Sequence, residues 1–235
     1  MRARFCMFRG MTAQSDVDLL VLAAHTPELI GLEAALGPEL TGQIARVRVA
    51  CATIGVGLPA AAAGTARRLH ELRPRRVLLL GSCGIYPGRA EFQPLCPVVP
   101  NEVQLVDGHV LAQRAAFPAP IPLVRVPDTR LSESLARSAP NALYGAVATT
   151  LGITTDDALA RSLGELSGCA AENLEAYSVA TACSDAGVPF VSLLVATNAV
   201  GSSGRAQWLA HQRAAAERGA QLVLDWIAQA APLLI

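Results

Sequence analysis

The stretch AENLEAYSVATAC, residues 171–183, places two carboxylates, Glu172 and Glu175, at the head of a run that is otherwise small and uncharged. A helix of that composition belongs in a protein interior. A buried carboxylate costs several kcal/mol unless it is paired or hydrogen-bonded. Glu175 therefore needs donors, from the protein or from a ligand.

Four other pieces could do chemistry. Glu28 follows the apolar run VDLLVLAA (17–24), where it reads either as a general base or as a solvated residue on the first turn of a helix. Two glycine turns, GVG (55–57) and GSCG (81–84), each follow an apolar run. Such turns let backbone amides approach a ligand, and Ser82 adds a hydroxyl; each also reads as a plain strand-to-helix turn. Neither is a G-x-G-x-x-G fingerprint. Asn198 closes the apolar segment VPFVSLLVATN (188–198), as a ligand-reading amide or as a turn former.

The elements that must position these residues alternate. VDLLVLAA reads as a buried strand, and HTPELIGLEAAL as a helix with Thr26 at its N-cap and Pro27 at its first position. RVRVACATIG (46–55) reads as a strand, GVGLPAAAAGTARRLHEL (55–72) as an amphipathic helix and RRVLLLGSCG (75–84) as a buried strand. In the proline-rich stretch 86–127, CPVVPNEVQLV and GHVLAQRAAF read as strands of a hairpin or meander. A strand over 142–150, a helix at DDALARSLGEL, a helix over AENLEAYSVATACSDAG ending at Gly187, a strand over 188–198 and a long C-terminal helix follow. This order predicts an α/β fold: a three-layer αβα single domain with a mixed, mostly parallel central sheet. In such sheets ligands bind beyond the carboxyl ends of the strands, where Glu28, the GSCG turn and Asn198 fall.

The 235 residues, 52 % of them apolar, suffice for one sizeable core. The net charge is zero, and no basic patch suggests nucleic acid as a partner. The 19 basic residues are all Arg, which excludes a Schiff-base lysine and a Walker-type phosphate loop. Six scattered cysteines without a C-x-x-C pair read as buried free thiols in a reducing compartment, so a cytoplasmic protein is expected. No uncharged run approaches a membrane span of roughly 20 residues. Residues 1–16 are basic without an apolar core; they read as a disordered lead-in rather than a signal peptide, with Met11 a second possible start, and the domain is expected over 17–235.

Taken together, GVGLPAAAAGTARRLHELRPRRVLLLGSCG and ENLEAYSVATACSDAGVPFVSLLVATNAVG resemble, in order and spacing, segments of the nucleoside phosphorylase/nucleosidase superfamily over roughly 17–230. The first is similar to its G-[IV]-G turn, helix and strand ending G-[ST]-x-G. The second is similar to its E-x-M-E-x-x-x-[IV]-A helix, followed by V-P-F and a strand ending S-D or S-N. The resemblance implies a small-molecule purine nucleoside as ligand, no cofactor or metal, and a homo-oligomer. It implies that Glu175 accepts hydrogen bonds from the ribose 2′ and 3′ hydroxyls, with Leu174 packing under the sugar in place of the usual Met. Glu172 would cap the helix or stay solvated. It further places Ser82 and Gly84 at the substrate, and Ile153 and Thr154 of LGITT against the base. Tyr86 and Phe92 would shape the mouth or join the core.

Phosphorylases of this superfamily hold phosphate with arginines. One position lies just before the G-S-x-G turn, here Leu80; another lies in the loop after the first strand, here AAHTPEL. Phosphate needs Arg or a nest of amides, so water is the expected nucleophile, with Glu28 orienting it. Adenine-releasing relatives carry Asp where this chain has Asn198; an amide suits a 6-oxopurine. ENLEA and T-N-A-V-G followed by Arg205 and Trp208 resemble the futalosine hydrolase branch, which acts in menaquinone biosynthesis, whereas SSG at 202–204 departs from it. The expected activity is therefore that of an N-glycosidase acting on futalosine. The alternatives are a methylthioadenosine/S-adenosylhomocysteine nucleosidase, a phosphate-dependent phosphorylase and a non-catalytic nucleoside-binding protein.

Overall fold

The computed structural model describes residues 17–235. The expected lead-in over 1–16, with Met11 and Cys6, lies outside the described residues. β1 (Leu19–Ala23) leads through a 3₁₀ turn (Thr26–Leu29) into α1 (Ile30–Leu36). A hairpin of β2 (Thr41–Ile44) and β3 (Val47–Thr53) precedes α2 (Leu58–Leu72) and β4 (Val77–Ile85). Next come β5 (Pro97–Leu105), α3 (Gly108–Leu111), β6 (Val124–Arg125), α4 (Thr129–Ser138) and β7 (Leu143–Thr149). α5 (Asp157–Ser167), β8 (Ala171–Asn173), α6 (Ala176–Ala186), β9 (Phe190–Ala199) and α7 (Gly204–Leu234) complete the order.

The strands form one mixed sheet in the order β2-β3-β1-β4-β8-β7-β5-β6, with β9 paired to both β4 and β5. β4, β8, β7, β5 and β9 thereby close a ring. Pairing is parallel at β1–β3, β1–β4, β4–β9, β5–β7 and β7–β8. It is antiparallel at β2–β3, β4–β8, β5–β6 and β5–β9.

Both faces of this sheet are covered, which is why its strands read as continuous apolar runs. Along β1, Leu20 and Leu22 join a core shared with Val179 and Cys183 of α6. Leu19 and Val21 point the other way, into a core with Val223 and Trp226 of α7. The period-two alternation of a strand thus feeds two apolar layers and gives the three-layer α/β fold. The five described cysteines are free thiols. Among the described residues no helix is long and apolar enough to cross a membrane.

Several local readings are corrected. The segment GHVLAQRAAF is not a strand: Asp107 caps α3 by accepting the His109 and Val110 N–H groups, and β5 finds its antiparallel neighbours in β6 and β9. α4 sits where the sequence reading placed nothing; Asp128 caps it through the Leu131 N–H. The N-cap of the first helical turn is His25 rather than Thr26, because Glu28 reaches back to the His25 backbone. The helix expected from 171 starts only at Ala176. Ala171–Asn173 is β8, drawn into the sheet between β4 and β7.

Candidate functional site

The carboxyl ends of β1, β4, β7 and β9 converge on a cavity of about 370 Å³. All eight residues expected at the site, Glu28, Ser82, Gly84, Ile153, Thr154, Leu174, Glu175 and Asn198, line it.

Glu175 is 6 % exposed, so its partners decide its state. It is the N-cap residue of α6, yet the cap is made by its neighbour. Asn173 Oδ1 accepts the Glu175 and Ala176 N–H groups, both at 2.8 Å. Asn173 Nδ2 donates to the Ser82 carbonyl at 3.0 Å and to Glu175 Oε2 at 3.1 Å. Gly57 N–H, in the first glycine turn, donates to Glu175 Oε1 at 2.9 Å. Burial pushes the Glu175 carboxyl up to about 7, the Gly57 and Asn173 donors pull it back, and the nearby Glu28 charge adds to the rise. Two protein donors leave lone pairs open on a carboxylate that can accept about four bonds.

Glu28 stands at the other side of the cavity, on the 3₁₀ turn. Its Oε2 accepts the Ala24 N–H at 3.0 Å and the His25 N–H at 3.4 Å, and lies 3.2 Å from His25 Nδ1. That contact holds the His25 imidazole above its usual pKa, against the effect of burial. Oε1 lies over Gly81, and among the described residues no donor reaches it. A smaller cavity of about 220 Å³ between the 3₁₀ turn and α7 shares His25, Glu28, Ser82 and Trp208 with the main one. Glu28 is therefore a wall between two chambers, with one oxygen free to hold a water.

Asn198 lies at a bulge, where Cys83 pairs with Ala196 but Gly84 pairs with Asn198. The Thr197 hydroxyl donates to Asn198 Oδ1 at 2.8 Å, and Asn198 Nδ2 donates to the Ala199 carbonyl at 2.9 Å. One N–H and one lone pair remain for a ligand. A Cβ on Gly84 would stand 2.8 Å from Asn198 Nδ2, so this position needs glycine.

Glu172 corrects the sequence reading. It is neither a helix cap nor solvated, but a 7 % exposed residue of β8. It accepts the Tyr86 hydroxyl at 2.8 Å, the Thr154 N–H at 3.0 Å and the Thr154 hydroxyl at 2.6 Å. Three protein donors engage both its oxygens, and it fixes the segment that carries Ile153, which is 60 % exposed at the cavity wall that Glu172 also lines. Tyr86 is fully buried and Phe92 packs against the core and His211; neither lines the cavity. Arg205 stacks over Trp208 at 4.7 Å, and both line the wall beside Asn198. Asn173 was missed as a functional residue, although an Asn two residues before a helix-start Glu is a capping signal.

Comparison with known proteins follows the same outline. No curated protein matches the chain in sequence. A methylthioadenosine/S-adenosylhomocysteine nucleosidase from Neisseria meningitidis, solved with methylthio-immucillin-A, is similar with a TM-score of 0.79 at 19 % identity, covering 90 % of this chain and 98 % of that one. The corresponding nucleosidase from Streptococcus pneumoniae, with a transition-state inhibitor, gives 0.78 at 18 % identity, covering 89 % and 98 %. A futalosine hydrolase mutant of Helicobacter pylori gives 0.79 at 15 %, covering 90 % and 98 %. At these identities the likeness is one of fold. The family model of the phosphorylase superfamily matches residues 11–228, nearly the whole chain, and the chain belongs to that superfamily.

Proposed function

We propose that this protein is a purine-nucleoside N-glycosidase that uses water and acts on a 6-oxopurine nucleoside, futalosine being the best-fitting substrate. The observation that carries the reading is the pair of carboxylates, Glu28 and Glu175, facing one cavity with different partners and open acceptor sites. Glu175 would accept the ribose 2′ and 3′ hydroxyls and so hold the sugar. Glu28 would orient a water on its open oxygen toward the anomeric carbon. As the water oxygen bonds to that carbon, the glycosidic C–N bond breaks and its electron pair passes to the base, which takes up a proton from solvent. The water keeps one proton in the new hydroxyl and gives the other to the Glu28 carboxylate, which returns it to solvent, so no net proton is gained or lost. Asn198 would donate to O6 or N7 and accept from N1–H of hypoxanthine.

Water is favoured over phosphate because the main cavity's lining supplies one arginine, Arg205, engaged with Trp208 beside Asn198, and the smaller chamber adds Arg213, which is paired with Glu217. Phosphate recognition calls for charge-matched donors at the nucleophile's position. Likeness to methylthioadenosine nucleosidases keeps adenine as the second reading. Incubating the protein with inosine, methylthioadenosine and futalosine, with and without phosphate, and following base release by chromatography tests both. Phosphate-independent release of hypoxanthine is expected. Strict phosphate dependence, or release of adenine alone, overturns the reading.

A further inference from the structure

A carboxylate outside the roles above ties the β9–α7 connection to the start of α5. Two aspartates in sequence divide the work there. Asp156 caps α5, accepting the Leu159 N–H at 2.7 Å. Asp157 turns away from its own helix. Its Oδ1 accepts the Ser202 N–H at 2.8 Å and its Oδ2 the Ser202 hydroxyl at 3.0 Å. Beside them, the Gly201 N–H donates to the Thr154 carbonyl at 3.2 Å. Gly201 has φ 129°, and a Cβ built on it would overlap Asp157 Oδ1, so the approach requires glycine twice over.

Both sides of this tie are cavity wall: Ile153 and Thr154 on one, Gly201, Arg205 and Trp208 on the other. Asn198 sits at the end of β9, three residues before Gly201. Val200 is held by its buried side chain and by its N–H bond to the Ile85 carbonyl, and Gly201 by its bond to Thr154, whereas exposed Ser202 is held by the Asp157 pair. The Ser202 donors hold the Asp157 carboxyl below its usual range, so it is ionised throughout neutral pH. An exposed bond of this kind adds little to global stability, so its loss is felt locally.

We propose that Asp157 is a positioning residue for the base-binding end of the cavity: its two-point hold on Ser202 fixes the wall formed by the β9–α7 connection against the Ile153–Thr154 segment, and so sets how closely Asn198 meets the purine. The identity of the ligand rests on the nucleosidase reading; the latch itself does not.

The test uses Asp157→Ala, with Gly201→Ala breaking the contact from the other side. Asp157→Asn is the conservative rescue, since it keeps one acceptor for the Ser202 N–H and can donate to the Ser202 hydroxyl. Amide hydrogen exchange over 200–204 is measured on the unliganded proteins, and KM and kcat on a hypoxanthine nucleoside. Asp157→Ala and Gly201→Ala should exchange about tenfold faster there and raise KM about tenfold, with kcat within about threefold; Tm should be unchanged in Asp157→Ala and lower in Gly201→Ala, whose added Cβ is strained. Asp157→Asn should recover most of both. Parent-like exchange in Asp157→Ala overturns the latch, and faster exchange with unchanged KM overturns its role at the site. If the parent cleaves no purine nucleoside, the nucleosidase reading has failed separately. Hypoxanthine binding, followed by tryptophan fluorescence, then replaces KM, and an unchanged affinity in Asp157→Ala overturns the positioning role.

Discussion

Asn173 Nδ2 donates to Glu175 Oε2 at 3.1 Å while Asn173 Oδ1 accepts the Glu175 N–H at 2.8 Å. The same side chain thus fixes both the backbone and the carboxylate of the residue assigned to the sugar. Asn173→Asp keeps the acceptor but loses both Nδ2 donations and sets a like charge beside Glu175. A like charge disfavours ionisation, so Glu175 should need a higher pH to open its lone pairs. We expect kcat/KM to fall about 10²-fold at pH 7 and the pH profile to move upward. An unchanged profile would mean that Glu175 is positioned by Gly57 alone.

Burial of the Glu175 charge works against stability, as expected of a carboxylate kept for a ligand. Its folded pKa, about 7, lies above the ordinary 4.5, so the folded state binds more protons than the unfolded one between those values. That contribution is fully present below about pH 4.5 and is lost as pH rises through about 7. Glu175→Gln should therefore be as stable as the parent at pH 5 and more stable at pH 8, by a Tm gain of several degrees. Its kcat/KM should drop about 10²-fold or more, because the bonds to two ribose hydroxyls lose their charge. For the parent, sugar binding should tighten as pH rises from 6 to 8. Thermal unfolding at the two pH values and KM across the range check both halves.

Glu28→Gln should spare binding and remove hydrolysis. Assistance by a positioned base is worth about 10²–10⁴-fold, and KM should stay within a few-fold. The amide can still accept the Ala24 and His25 N–H groups through its oxygen, so folding should be unaffected. Hydrolysis at the parent rate would place water activation elsewhere in the cavity.

Glu172→Gln is the contrasting case. Three donors, one from buried Tyr86 and two from half-buried Thr154, converge on two carboxylate oxygens, and an amide offers one oxygen and an unwanted donor. The cost should be about 1–3 kcal/mol of stability, read as a lower urea midpoint. Activity lost without any loss of stability would show that Glu172 meets the substrate instead.

How far the sequence carries follows from where the information is local. β1, β4 and β9 are buried on both faces and so appear as apolar runs, and their ends place Glu28, Ser82 and Asn198 in one region before any coordinates. β8 is three residues long, too short for periodicity to register, so local pattern assigns Glu172 to the helix that follows. α4 follows the proline-rich stretch as a short helix between Pro127 and Pro140, and its cap, Asp128, is the clearest signal. Asn173 and Asp157 act across 91 and 45 residues of chain, on Ser82 and Ser202. Contacts of that separation come from topology and not from local pattern.

In the proposed reading, Asn198 carries the choice of base. Its amide oxygen is engaged by the Thr197 hydroxyl and its nitrogen by the Ala199 carbonyl, which fixes the direction of the one N–H and the one lone pair still open. That pair matches O6 together with N1–H of hypoxanthine and equally N7 together with N6–H of adenine, so the choice between them falls to leaving-group chemistry. Neutral adenine leaves poorly unless N7 is protonated in the transition state, and an amide has no proton to give by ionising. The parent should therefore release hypoxanthine in preference to adenine from matched nucleosides. Asn198→Asp supplies an ionisable acid, and its charged form repels O6. Its Oδ2 would also face the Ala199 carbonyl that Nδ2 now serves, which favours the protonated carboxyl and so the acid role. A mispaired buried polar contact costs about 1–3 kcal/mol, so the preference should move toward adenine by roughly tenfold or more in relative kcat/KM. The ratio of the two bases released, measured for parent and variant, decides it. An unchanged ratio would mean that Asn198 does not meet the base, and the 6-oxopurine reading would lose its physical ground.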